Sequence, residues 1–473
     1  MKVLLFLPEI FMLLGILVLF NLSVAGADGR RARTAALVFA VGGVVLSLLC
    51  LGRQGTIFFG AYQVDFFSQL IKLILTLGLT VVLLIGRELK GIRDEIRPEY
   101  YLFMLGSVSG LMMLVSSAEL LTLFLALELS SFCLYLLVPM RDDSQGLRMQ
   151  MEAAVKYVLF GVVASGVMLF GMSYLFALGG STHFVELVPA VGGMLDNPAV
   201  LAGIVMVMAG FLYKLAIFPF HFWVPDVYQG ASNETTAFIA SLPKIAAAAM
   251  LIKISSLAAP GNELVGGGLA LLAVLSMFYG NLSALVQTDL KRLLGFSGIA
   301  HAGFILVGVL TLGEAGYAVA LYYATGYVVM SLACFLVICR VSQRGENVKI
   351  EDLSGLYQRA PLLALVLAVG MFALAGIPPF VGFMGKFLLL TSALGEGYLL
   401  LVILAAINTA IAIYYYLSVV RVAYTAEPGD RPAIALDPVA GALGVLLIAA
   451  IIALGVLPGP ALELATAAVG TLM

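Results

Sequence analysis

The chain has 473 residues, 62% of them hydrophobic and only 11% charged, with a mean hydropathy of +1.10. Soluble domains carry roughly a quarter charged residues, so this composition cannot clothe a water-facing surface, and a soluble enzyme is excluded. A net charge of −2, from 25 Lys and Arg against 27 Asp and Glu, leaves no basic field to hold nucleic acid.

A membrane-crossing helix needs about 20 apolar residues, and that ruler marks about fourteen segments in chain order: 3–23, 34–51, 66–85, 100–116, 120–139, 150–178, 199–218 with a broken extension, 237–257, 266–286, 293–312, 317–339, 361–394, 398–420 and 438–457. The first ends at Ala25-Gly26-Ala27 and imitates a signal peptide. Its length, the early Pro8-Glu9 and the following Arg30, Arg31 and Arg33 predict an uncleaved helix instead.

The connections sort the basic residues by side. One alternate set holds Arg30, Arg31, Arg33, Arg87, Lys90, Arg93, Arg97, Arg141, Arg148, Lys291, Arg292, Arg340, Arg344, Lys349, Arg359, Arg421 and Arg431, whereas the other holds only Lys2 and Arg53. By the positive-inside rule the first set is cytoplasmic and both termini lie on the outer, periplasmic side.

Six basic residues remain inside the segments: Lys72, Lys156, Lys214, Lys244, Lys253 and Lys386. Among the acids, Glu128 stands out, ten residues from Val138 and so about 15 Å deep at 1.5 Å per residue. Lys72 and Lys253 are close enough to helix ends to snorkel. Lys156 and His301 are as well explained by packing as by function, but Glu128, Lys214, Lys244 and Lys386 cannot readily reach water. Intramembrane charge is costly and tends to mark ion or proton pathways.

Proline placement adds weight. In YKLAIFPFHFWVPD, Pro219 and Pro225 follow Lys214, and in AGIPPFVGFMGKF, Pro378 and Pro379 precede Lys386. Proline frees a helix carbonyl, and non-helical backbone survives at membrane depth only where protein or an internal cavity satisfies it. Lys214 and Lys386 lie 172 residues apart and Glu128 and His301 173 apart, and a matched pair of broken segments points to an inverted repeat. The expected division is 1–98, a three-helix segment; 99–258 and 259–425, two inverted five-helix repeats; and 426–473, the last helix. In this register Tyr416 takes the place that Lys244 holds in the first copy.

These residue types suit protons. Desolvation pulls a lysine toward its neutral form and a nearby carboxylate pushes it back, so Glu128 and Lys214 are expected to form a switchable pair, with Lys244, His301 and Lys386 continuing a relay. One deep acid among several bases is a poor sodium site. Cys50, Cys133, Cys334 and Cys339 show no CxxC spacing and His183, His221 and His301 are scattered, so no metal or redox centre is expected in this chain. Without a GxxxxGK[ST] motif, the driving energy must come from elsewhere.

The motifs LALELSSFCLY, AVKYVLFG, YKLAIFPFHFWVPD, SLPKIAAAAML, FSGIAHAGF and AGIPPFVGFMGKF together resemble the antiporter-like membrane subunits of respiratory complex I, the proton-pumping NADH:quinone oxidoreductase. The resemblance runs over about the whole chain. It implies fourteen transmembrane helices with discontinuous seventh and twelfth members, and one proton channel without its own redox centre. It further implies that quinone, FMN and iron–sulfur clusters belong to partner subunits, and that the partners are neighbouring antiporter-like and small helical membrane subunits, with the peripheral redox arm acting at a distance.

By motif, Glu128 is similar to the family's fifth-helix glutamate, Lys156 to its sixth-helix lysine, Lys214 to the seventh-helix lysine, Lys244 to the eighth-helix lysine, His301 to the tenth-helix histidine and Lys386 to the twelfth-helix lysine. The opening LPEI, the length and Lys386 resemble the N-type branch most: the M-type carries glutamate at the twelfth-helix position, and the L-type a long C-terminal lateral helix. Mrp-type cation/proton antiporters and membrane-bound hydrogenases share most of these motifs and form the alternative, beside a purely structural role for the buried charges. A bacterial inner membrane is the expected location.

Overall fold

The computed structural model describes residues 2–142, 148–255, 263–425, 427, 429 and 431–472. Its helices are α1 (Leu7–Val24), α2 (Gly29–Leu49), α3 (Phe66–Ile85), α4 (Arg97–Val115), α5 (Leu120–Leu137), α6 (Met149–Gly179), α7 (Phe184–Gly192), α8 (Pro198–Leu215), α9 (Trp223–Gly230) and α10 (Asn233–Ser255). They continue as α11 (Glu263–Ala284), α12 (Leu290–Val309), α13 (Glu314–Val341), α14 (Leu356–Arg359), α15 (Pro361–Ala375), α16 (Val381–Gly395), α17 (Leu399–Thr425), α18 (Pro438–Val456) and α19 (Pro458–Val469). A hairpin of β1 (Gly55–Ile57) and β2 (Tyr62–Val64) joins α2 to α3.

Thirteen helical stretches among the described residues are long and apolar enough to cross a membrane. The remaining expected crossing is split into α15 and α16, and the seventh is α8 followed by the short α9. Chain chemistry explains these ends. Asp28, Asp65, Glu119, Asn197, Asp289 and Asp437 each accept a backbone N–H at the start of α2, α3, α5, α8, α12 and α18, supplying the capping that hydrocarbon cannot. Left-handed residues end the two broken helices, Ala216 at φ 66° after α8 and Gly376 at φ 87° after α15. The Asp28 cap also starts the second crossing at Gly29 rather than at 34, so Arg30, Arg31 and Arg33 sit inside its first turns.

Helices α10, α12 and α13 are enclosed by the others, while α1, α2, α6, α17 and α18 form the rim. Polar side chains on the enclosed helices are therefore the ones removed from both lipid and bulk water. The basic connections gather on one face: Arg141 donates to the carbonyls of Gln229 and Gly345 at 2.7 and 3.1 Å, Lys90 to Ser342 at 3.3 Å, and Arg359 to Pro432 at 3.0 Å. Lys291, placed with those connections by the sequence, is fully buried in the first turn of α12 and donates to the Ala231 carbonyl at 2.7 Å. The β-hairpin, α7 and α19 lie toward the opposite face, where Thr471 accepts from the Phe67 amide at the start of α3.

Candidate functional site

The site is assembled from five crossings. Lys214 occupies the last turn of α8, where Ala216 ends the helix. Its side chain is buried and its Nζ has no hydrogen-bond partner among the described residues. Glu128, on α5, accepts a hydrogen bond from Ser165 on α6 at 2.6 Å. Its charge reaches Lys214, yet no ion pair joins them. The expected Glu128–Lys214 contact is thus absent in this arrangement, because Ser165 holds the carboxylate toward α6.

Lys244 projects from α10 between two aromatic faces. Its Nζ lies 5.8 Å from the Tyr228 ring centre and 5.2 Å from that of Tyr327, and donates to the Tyr327 hydroxyl at 3.4 Å. The ring faces stabilise a desolvated cation. Gly298 makes this possible: a Cβ there would stand 2.5 Å from Lys244 Nζ.

His301, on α12, is held at both ring nitrogens, by Tyr323 at 2.6 Å and Tyr416 at 3.0 Å. One nitrogen donates and the other accepts, and the tyrosine hydroxyls adapt to either tautomer. Lys244 and Lys386 both lie within electrostatic reach of the imidazole. The hydroxyl of Tyr416, on α17, meets His301 directly.

Lys386, on α16, turns back across the helix break and donates to the Leu374 and Ala375 carbonyls, both at 3.1 Å. Those carbonyls end α15, where the helix dipole favours a cation. Its Nζ also lies 4.9 Å from the Phe304 ring centre.

Lys156 departs from this group. It is 37% exposed and paired at 2.6 Å with both Glu152 and Asp226, while Arg292 holds the other Asp226 oxygen at 2.8 Å. Asp226 was not singled out from the sequence although it closes the WVPD motif, and neither were Tyr323 and Tyr327, spaced one helical turn apart. Glu9 is fully buried, and Asp65, Glu119, Glu234 and Asp289 are nearly so, whereas Glu128 is only partly buried. No group of three or more His, Cys, Asp or Glu side chains among the described residues could hold a metal ion.

A lysine facing a tyrosine hydroxyl, another capping a broken helix and a doubly bonded histidine, enclosed in a bundle with two broken helices, define a proton-handling membrane transport subunit. Residues 117–412 match the family model described as NADH:quinone oxidoreductase/Mrp antiporter, TM. The chain is 52% identical over 468 residues to NADH-quinone oxidoreductase subunit N 2 of Opitutus terrae, covering 99% of this chain and 98% of that protein. A chain of respiratory complex I from Thermus thermophilus aligns with a TM-score of 0.85 and 32% identity over 97% of this chain and 99% of its own. A chain of the Mrp complex from Dietzia sp. shares the fold, with a TM-score of 0.87 at 19% identity over 100% of this chain and 98% of that one. The chain belongs to the subunit N family of the NADH:quinone oxidoreductase/Mrp antiporter membrane subunits.

Proposed function

We infer that this chain is a proton-translocating membrane subunit of a respiratory NADH:quinone oxidoreductase. The observation that carries this reading is the buried run of Lys244, Tyr327, His301 and Lys386, combined with membership of the subunit N family. Quinone, FMN and iron–sulfur chemistry belongs to partner subunits, and this chain contacts neighbouring antiporter-like and small helical membrane subunits. Turnover there changes the electric field and the packing around Glu128 and Lys214. When Glu128 swings from Ser165 toward Lys214, the ammonium is stabilised and holds its proton; when it withdraws, Lys214 releases one. Lys244, His301 and Lys386 pass protons on through water and tyrosine hydroxyls.

The location is a bacterial inner membrane, with the basic connections in the cytoplasm and both termini on the periplasmic side. The helices form two inverted five-helix repeats, 99–258 and 259–425. In support, the break falls in the fourth crossing of each block, α8 with α9 and α15 with α16. Lys156, ion-paired at the rim with Glu152 and Asp226, is a secondary member that loads the relay. The deciding experiment reconstitutes complexes carrying Lys214→Ala or Glu128→Ala in proteoliposomes. NADH-driven proton uptake should be nearly abolished while the complex still assembles; normal pumping by an assembled variant overturns the relay.

A further inference from the structure

Lys72, expected to reach water at its helix end, meets a different environment, whereas Lys253 is partly exposed and borders a cavity. Lys72 Nζ lies 2.6 Å from Glu9 Oε1, and neither side chain is exposed. Tyr62 donates to the same oxygen at 2.7 Å, and its ring centre stands 5.2 Å from Lys72 Nζ. The helix-end position of Lys72 misleads because the β-hairpin folds over it.

The surroundings are polar and incompletely satisfied. Glu9 Oε2 has no hydrogen-bond partner among the described residues, and neither amide atom of buried Gln69, one turn before Lys72, has one. Cys50 lies within electrostatic reach of Glu9 and Lys72, and Lys253 within reach of Lys72 and Asp65. From this cluster the contacts run outward. Tyr62 bridges to Ser117, whose carbonyl accepts Lys253 Nζ at 2.7 Å. Lys253, Gln63 and Thr471 line a cavity of about 210 Å³ walled by Phe184 and Val188, room for several waters where one needs ~10–15 Å³.

A buried ion pair is a weak source of stability compared with apolar packing, and a spare carboxylate oxygen without a partner makes it weaker. Polar groups retained at membrane depth at that cost mark pathways. The pair lies on the face opposite the basic connections, and none of its members belongs to the relay described above.

We propose that Glu9, Lys72 and Tyr62 form a proton-release site that discharges into the cavity beside Lys253. An arriving proton bonds to the unpartnered Glu9 Oε2, leaving a neutral acid beside the Lys72 ammonium. That O–H bond then breaks, the proton passes to water as hydronium, and the carboxylate pairs again with Lys72. Tyr62 orients the carboxyl, and its neighbour Gln63 opens on the cavity. The positive charge of Lys253 at the cavity opposes the proton's return. This assignment rests on the proton-translocating reading and on the orientation proposed with it.

Two measurements on the assembled complex test the site. In the first, Gln63→Cys is treated with a cationic, membrane-impermeant methanethiosulfonate; the native cysteines are buried. Labelling from the side opposite NADH oxidation is expected, and labelling only from the NADH side, or from neither, overturns the proposal. In the second, Glu9→Gln/Lys72→Met removes both charges while retaining shape. Pumping per NADH oxidised should fall on the order of tenfold, whereas a merely structural pair leaves it unchanged, which overturns the proposal. Because Lys214→Ala tests the relay without touching the cavity, failure of the relay reading and failure of the release site give different results.

Discussion

Lys386 donates to the carbonyl of Leu374, twelve residues earlier and on the other side of a helix break, at 3.1 Å. The same ammonium caps α15 and is the one assigned above to the proposed relay, and two substitutions separate these roles. Lys386→Met removes the cap and should cost about 1–2 kcal/mol in the thermal stability of the purified complex. Lys386→Arg keeps the charge on a group that does not deprotonate. It should assemble normally and pump on the order of tenfold more slowly, read by pH-gradient dye quenching against NADH oxidation.

Gly298 leaves the space that Lys244 occupies. A Cβ at this position would stand 2.5 Å from Lys244 Nζ and 2.8 Å from the Tyr327 hydroxyl, so Gly298→Ala must displace the ammonium. Overpacking costs about 1–3 kcal/mol, and the gain in helix propensity returns about 1 kcal/mol. The expected outcome is a complex of nearly unchanged melting temperature with markedly slower pumping; an unchanged pumping rate would show that the Lys244–Tyr327 contact is dispensable.

The histidine at the centre of the site has two partners from different helices. Tyr323→Phe and Tyr416→Phe should each cost about 0.5–1.5 kcal/mol, the worth of one hydrogen bond. The double variant leaves a buried imidazole with neither hydroxyl and should cost more than the sum. Chemical denaturation of the four complexes in detergent measures this coupling directly.

Glu346 carries a pH dependence at the connection after α13. Partial burial works against ionisation, but the amides of Gln343 and Arg344, at 2.8 and 2.7 Å, together hold its carboxyl below the ordinary carboxylate range. A depressed folded value means this stabilisation is complete above the unfolded pKa, about 4.3, and is lost as pH falls through the folded one. Amide exchange at Gln343 and Arg344, corrected for intrinsic rates, should be constant at neutral pH and rise as the medium becomes acidic. Glu346→Gln should show the raised exchange at neutral pH. The connection matters because its Glu346 carbonyl accepts from Asn233, at the start of the helix that carries Lys244.

Much of this architecture is legible in the sequence because membrane insertion is a local criterion. The third crossing begins and ends at the residues that hydropathy marks, and both helix breaks fall beside the proline clusters at Pro219 and Pro378-Pro379. Lys214, Lys244 and Lys386 are buried, as their distance from helix ends requires. Lys72 was misread for an equally physical reason. Snorkelling depends on what covers the helix end, and here Glu9 and Tyr62, separated from it in sequence, do so. Lys156 lies at the rim, where its partner Asp226, held also by Arg292 of α12, comes from α9, whose placement no local pattern encodes.

The sequence by itself determined the membrane class, the run of crossings, the positions of the two breaks and the burial of Lys214, Lys244 and Lys386. Each follows from a cost reckoned residue by residue along one helix. Only the tertiary structure decided which charges meet: Lys244 with Tyr327, His301 with Tyr416 and Lys72 with Glu9, while Glu128 turns to Ser165 instead of Lys214. Hydrogen bonds and ion pairs act over a few ångströms between helices that lie far apart in the chain, so partners are set by how the helices pack.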